Sequence, residues 1–239
     1  MPPLTNHQVR ICSLSAENCD DKSIAVIIDV YRAFTTAAIA LSKGAGSIIM
    51  VDDVEQALAL REQGTGSFCM GERHGQKLPG FDFGNSPAEL ANQKFDGETI
   101  IQTTTNGTRG VIEGASAHKI FAASLVTAEA TAQCLTAMDK QFPIVLAAMG
   151  HKRRREDEDE LCALYLRSKV FGEAPDKTAL AQYLKSLNTT TGPTSRRSEP
   201  LLEGDVEYCL DIDSVPFAIS IQLIGEHFTA TKEFPPAPE

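Results

Sequence analysis

The sequence predicts an α/β protein: a three-layer α/β/α sandwich with a largely parallel or mixed central sheet. Short apolar, β-branched runs recur between helix-like stretches. They are almost continuously hydrophobic instead of strictly alternating, which suits strands covered by helices on both faces. The regular exchange of such runs with helical stretches favours parallel pairing. All but the last run also empty into polar residues, where open parallel sheets gather their ligands.

The expected strands are Ile24 to Val30, Ser47 to Val51, Thr99 to Thr103, Lys119 to Ala123, Ile144 to Met149 and, later, Phe217 to Leu223. Between them lie the expected helices Thr35 to Lys43, Val54 to Gln63, Pro87 to Lys94, Thr127 to Lys140, Glu158 to Val170 and Asp176 to Leu187. Ser86-Pro87 fits a capping hydroxyl followed by proline at the first helical position. Asp205 to Leu210 is helix-like, Asn188 to Ser198 reads as a surface loop, and Phe234 to Glu239 as a flexible, proline-rich tail.

With 239 residues, 42% of them hydrophobic, the chain can bury its core as one large α/β domain or as two small lobes. The formal net charge of −10 and the lack of a basic stripe argue against nucleic acid as a partner. No charged segment followed by an apolar one opens the chain, and no apolar run reaches membrane-spanning length, so a cytoplasmic protein without membrane contact is expected. Six cysteines without a Cys-x-x-Cys pair indicate neither a zinc site nor a dense disulfide framework, and most of them read as reduced, buried, small apolar residues. A homo-oligomer of closed symmetry is the default expectation.

The densest chemistry is Thr103-Thr104-Thr105-Asn106-Gly107-Thr108-Arg109-Gly110, directly after the apolar Thr99 to Gln102. A buried strand running into hydroxyls, a glycine turn and a guanidinium, then into a helix-like stretch from Val111, assembles donors suited to a phosphate or sulfonate. The plain alternative is a threonine-rich strand end and an Asn-Gly turn. Asp29-Val30-Tyr31-Arg32 puts an acid and an arginine at another strand end, with Thr35 and Thr36 opening the next helix. Here the alternative is a helix cap with a surface partner. Glu72 and Arg73 stand between Gly71 and Gly75, and Gly84-Asn85-Ser86-Pro87 follows; a surface ion pair is the alternative there. Ser124 ends a further strand. In the run from Lys152 to Glu160 the basic half is cancelled by the acidic half, so a solvated loop is the default.

In combination these blocks resemble the 2-phosphosulfolactate phosphatase family, the magnesium-dependent phosphatases named for coenzyme M biosynthesis. The resemblance rests on Asp29 to Thr36, Gly71 to Arg73 with Gly84 to Pro87, Thr103 to Gly107, Ala123-Ser124-Leu125 and Glu158 to Ala163, with Asp205 to Pro216 similar to the family's C-terminal region. Family members commonly carry leucine and serine where this chain has Tyr31 and Phe34, and asparagine at Thr127.

The resemblance implies hydrolysis of a small anionic phosphate ester with Mg²⁺ as cofactor. Asp29, Arg32, Glu72 and Arg73 would then carry the chemistry. Asp29, Glu72, Glu158 and Asp159 are the candidate metal ligands, since Mg²⁺ takes a few carboxylate oxygens and completes its shell with water and phosphate. Arg32, Arg73 and Arg109 would clamp the anionic groups. Thr35, Thr36, Asn85, Ser86, Thr103, Thr104, Thr105, Asn106, Gly107, Thr108 and Ser124 would complete the substrate site. Which carboxylate binds metal and which serves as base or nucleophile is open, and Asp29 fits each role.

Other phosphatase chemistries match less well. Asp211-Ile212-Asp213-Ser214-Val215 mimics a two-aspartate haloacid-dehalogenase loop but leaves too little chain after it. No cysteine stands six positions before an arginine, and neither a Gly-x-Ser-x-Gly elbow nor a P-loop is present. The histidines have no metal-ligand spacing, although His74 and His151 lie near the expected crevice. The rival from another class is a non-catalytic sensor that binds a phosphorylated or sulfonated metabolite.

Overall fold

The computed structural model describes residues 8–17, 19–151, 154–188 and 204–237. The expected surface loop after Asn188 lies outside these residues, as does the end of the tail. In chain order the elements are β1 (Val9–Ser13), β2 (Ile24–Ile28), α1 (Ala33–Ser42), β3 (Ser47–Met50), α2 (Val54–Glu62), β4 (Phe68–Arg73) and β5 (Gln76–Lys77). Then come α3 (Pro87–Leu90), β6 (Thr99–Thr103), α4 (Gly107–Glu113), β7 (Lys119–Ala123), α5 (Ala128–Ala137), β8 (Ile144–Ala148) and α6 (Asp157–Val170). The chain closes with α7 (Lys177–Asn188), α8 (Asp205–Cys209), β9 (Ala218–Ile224) and β10 (His227–Glu233).

All ten strands join one mixed sheet in the order β1-β8-β2-β7-β9-β10-β3-β6-β4-β5, which makes this an α/β fold. β1-β8-β2-β7 pair in parallel, and so do β3-β6-β4. The β9-β10 hairpin joins the two blocks through three antiparallel pairings. By pairing alone the blocks run in opposite senses. Sheet twist of roughly 20–25° per pair, accumulated over the five pairings from β2 to β6, rotates one block against the other by about 100–125°. The carboxyl ends of both blocks consequently meet: Gln102 Nε2 at the end of β6 donates to the Ala33 carbonyl at 3.0 Å, and Asn106 Nδ2 lies 3.0 Å from His151 Nδ1 beyond β8.

Burial follows this curvature. On one face a single apolar cluster runs across both blocks, from Ile27, Ala122 and Ala147 to Ile48, Met70 and Ile100, and it encloses α1 through Phe34, Ala37, Ala38 and Leu41. That explains why almost every residue of α1 is buried, and why its sequence shows little amphipathic contrast. The opposite face divides. α5 and α6 cover the first block through Leu135, Cys162 and Leu166, while α2 covers the second through Ala57 and Leu60 against Ile49 and Ile101.

β1, β4, β5 and β10 lie outside the strands expected from the sequence. β4 contains Gly71 and ends in charge, β5 has only two exposed residues, and β1 and β10 carry polar side chains at partly exposed positions. Such strands lack the continuous apolar signal of buried ones. α4 starts at Gly107 instead of Val111, and α3 stops at Leu90. Ser86 caps α3 as expected, its Oγ accepting the Glu89 N–H at 3.2 Å. All six cysteines are free thiols.

The two-aspartate segment is structural in part. Asp213 accepts the Glu129 N–H of α5 at 2.9 Å and the Tyr165 hydroxyl of α6 at 2.7 Å, while Lys169 Nζ reaches Glu129 at 2.6 Å. The hydrogen bond from Lys169 holds the Glu129 carboxyl below its ordinary value of 4.5. A depressed carboxylate contributes stability above its unfolded value and loses that contribution as pH falls through the folded one. Glu129→Gln is therefore expected to cost about 0.5–1 kcal/mol at neutral pH. The cost should shrink towards zero as pH falls below 4.5, as read by urea melts across pH.

Candidate active site

A small polar recess opens where the two sets of strand ends meet. Its walls are Asp29, Tyr31, Arg32, Glu72, Gly75, Asn85, Asn106 and His151. Five of these, Asp29, Arg32, Glu72, Asn85 and Asn106, are among the residues expected from the sequence.

Asp29 follows β2 and turns the chain into α1. Its Oδ1 accepts the Ala33 N–H at 3.1 Å, satisfying the first backbone donor of the helix from three residues before the Arg32 N-cap. Oδ2 faces the first turn of α4, where a Cβ on Gly107 would approach it to 3.2 Å and meet the Ala33 Cβ at 2.7 Å. Gly107 thus permits close contact between the starts of α1 and α4. Burial pushes the Asp29 carboxyl up to about 7. The charges of Glu72 and Glu158 push the same way, against the Ala33 N–H and Arg32.

Glu72 ends β4 and is engaged on both oxygens. Oε1 accepts the Thr105 N–H at 2.8 Å, and Oε2 accepts the Thr105 hydroxyl at 3.1 Å and the Gly75 N–H at 2.9 Å. These three contacts fix the orientation of the buried carboxylate. Arg32 is also buried. Its Nη1 donates to Asp205 Oδ2 at 2.7 Å, and Nη2 reaches the Gly75 carbonyl at 3.5 Å. Asn85 is buried in the same wall, and its Oδ1 accepts no hydrogen bond among the described residues.

The remaining predicted residues stand behind or beside the recess. Asp159 accepts the Val30 N–H at 2.8 Å and the Gly150 N–H at 2.9 Å, joining the ends of β2 and β8 beneath Asp29. Burial, with Asp29 and Glu158 nearby, pushes its carboxyl up. Glu158 is buried in the first turn of α6. Arg73 turns away from the recess to Thr103 Oγ1 at 2.9 Å and to the Asp52 carbonyl. Arg109 is partly exposed on α4 and pairs with Glu113 at 3.1 Å.

The threonines build the loop. Thr104 and Thr108 exchange bonds between each N–H and the other's hydroxyl, both at 3.1 Å, while Thr105 holds Glu72. Thr35 Oγ1 donates to the Val30 carbonyl at 2.9 Å. The Thr36 and Ser124 hydroxyls are buried without a partner among the described residues, and Ser86 Oγ donates to Asp205 Oδ1 at 2.6 Å. Three lining residues, Tyr31, Gly75 and His151, and the buried Asp205 behind Arg32 lie outside the predicted set. His151 had the signal of a strand end behind it. Asp205 had only that of an acid opening a short helix.

A recess that sets carboxylates against a single guanidinium at the ends of α/β strands suits an anionic ester accompanied by a cation. The family model described as 2-phosphosulpholactate phosphatase matches residues 11–222. A relative from Thermotoga petrophila is 36% identical over 85% of this chain and 92% of its own length. One from Carboxydothermus hydrogenoformans is 40% identical over 82% of this chain and 85% of its own. Both are named probable 2-phosphosulfolactate phosphatase. The chain belongs to the 2-phosphosulfolactate phosphatase family.

Glu72 depends on close packing one residue earlier. A Cβ on Gly71 would lie 1.9 Å from the Thr103 carbonyl oxygen of β6, a backbone atom that cannot move without shifting the strand. Gly71→Ala is expected to destabilise the protein by about 1–3 kcal/mol or more and to displace Glu72 from Thr105. Paired thermal melts and activity assays check this, with loss in both expected.

Proposed function

We propose that this chain is a Mg²⁺-dependent phosphoric monoester hydrolase whose substrate is 2-phosphosulfolactate, cleaved to 3-sulfolactate and phosphate. The observation that carries the reading is that Asp29, Glu72 and the buried Arg32 line one recess. Family membership supports the substrate class.

The donor chemistry of the recess suits a hard cation. Two carboxylates and the unpartnered Asn85 oxygen are the ligands such an ion prefers. Among the described residues no group of three or more His, Cys, Asp and Glu is placed to hold a metal by itself. Mg²⁺ needs no such cage, because it keeps waters and shares substrate phosphates through one or two carboxylates. Asp29 and Glu72, with Asn85, would hold it. When bound it would offset the negative charge of the phosphoryl oxygens and the leaving alkoxide.

The protein's own groups do the rest. Arg32 offers guanidinium N–H groups to phosphoryl oxygens as charge moves in the transition state. Asp29 Oδ1 is committed to Ala33, so Oδ2 is the atom left for a ligand, base or nucleophile role. The Glu72 contacts with Thr105 and Gly75 fix the second carboxylate before substrate arrives, which lowers reorganisation during reaction.

Two experiments test this reading. Exhaustive chelation is expected to remove turnover and Mg²⁺ to restore it. Asp29→Asn should lower kcat by about a hundredfold or more with little change in melting temperature, since the asparagine side-chain oxygen can still accept the Ala33 N–H. Near-normal turnover in the variant would leave Asp29 with only its structural bond to Ala33, and ester binding without any turnover would identify a binding module.

A substrate panel of phosphosulfolactate, phospholactate, phosphoglycerate and a simple alkyl phosphate decides the finer claim. Phosphosulfolactate is expected to give the highest kcat/KM. Equal values across the panel would withdraw the substrate while leaving a phosphatase.

A further inference from the structure

Asp205 lies in the C-terminal part of the chain, at the start of α8, and its side chain is fully buried. A buried carboxylate is costly unless every oxygen is engaged. Here both are. Oδ2 accepts Arg32 Nη1 at 2.7 Å, and Oδ1 accepts the Ser86 hydroxyl at 2.6 Å and the Ala88 N–H at 3.2 Å. One side chain therefore joins the arginine of the recess to the first turn of α3, whose neighbour Asn85 also lines the recess.

This arrangement restrains the guanidinium without exhausting it. Arginine has five N–H donors in a rigid fork. Asp205 takes one and the Gly75 carbonyl, at 3.5 Å, lies at the edge of hydrogen-bonding distance from another. The remainder have no partner among the described residues. An arginine on a flexible stem loses entropy when it binds an anion, and one already held by a carboxylate at its back loses less.

We propose that Asp205 is a positioning residue, which holds the Arg32 guanidinium in the orientation that receives a phosphoryl group. The inference rests on the proposed phosphatase reading for its ligand. It adds that the C-terminal segment supplies a necessary part of the phosphate site from behind, together with the cap of α3. Asp205 touches no substrate, so its whole effect on phosphate must pass through Arg32.

That dependence defines the test. Inorganic phosphate binding is measured by titration calorimetry for four proteins in the same Mg²⁺-containing buffer: the parent, Asp205→Asn, Arg32→Met and the double variant. Asparagine keeps an acceptor for Ser86 and Ala88 but loses the charge that orients Arg32. Asp205→Asn should weaken phosphate binding by about ten- to a hundredfold in the parent background and by less than about twofold when Arg32 is already methionine.

A purely structural Asp205 would instead weaken binding by the same factor in both backgrounds, or leave it within about threefold of the parent in the first, and either result overturns the proposal. Should Asp205→Asn fail to fold, Asp205→Glu, which retains the charge and displaces it by one methylene, replaces it in the same comparison with the same outcomes. Parent protein that binds phosphate but hydrolyses no ester in the panel would refute the phosphatase reading while the four-way comparison still judges Asp205. Parent protein that binds no phosphate overturns the positioning claim as well.

Discussion

Glu72 accepts N–H groups from Thr105 and Gly75 at 2.8 and 2.9 Å, and on those bonds the geometry of the recess depends. They tie the end of β4 to the loop after β6, and that loop carries Asn106 and the start of α4. Asp159 does the corresponding work in the other block, accepting from Val30 and Gly150. In each block a buried carboxylate satisfies backbone donors that strand ends would otherwise leave unpaired. The same choice concentrates negative charge where the blocks meet.

That concentration has an electrostatic consequence. Asp29 is raised to about 7 by burial and by its acidic neighbours, and Asp159 is raised for the same reasons. Arg32 is the only arginine of the three expected clamps that lines the recess, and Asp205 already balances it. Ionised carboxylates in such a site repel a phosphate dianion, and the repulsion is offset when protons or a cation accompany the ligand. The shortage of positive charge, more than any single contact, is the physical argument behind the proposed metal-accompanied substrate.

Curvature explains how residues so distant in sequence come together. A flat sheet with two opposed parallel blocks would send their carboxyl ends apart. Three antiparallel pairings through the β9-β10 hairpin, combined with accumulated twist, fold the sheet around α1, whose first turn then touches elements of both blocks. α1 is buried nearly throughout, its alanines allowing close approach to the sheet while Phe34 and Leu41 fill the space between the blocks.

The buried strands β2, β3, β6, β7 and β8 were legible because their apolar runs are continuous, and the acids and hydroxyls after them were legible as strand-end residues. Asp29, Arg32, Glu72, Asn85 and Asn106 could be named on that basis. The antiparallel hairpin, the glycine-bearing β4 and the direction of each arginine could not, since charge and residue type are local while orientation depends on which backbone groups lie opposite. Arg73 and Arg109 have the same chemistry as Arg32, yet neighbouring carbonyls and Glu113 claim them. Asp205 reads in sequence as an ordinary first-turn acid. Sequence by itself determined the α/β class, the family and the supply of carboxylates, because these follow from hydrophobic periodicity and local motifs. Only the tertiary structure decided which of those groups share a recess and which brace it from behind, because pairing order and twist set the distances between residues far apart along the chain.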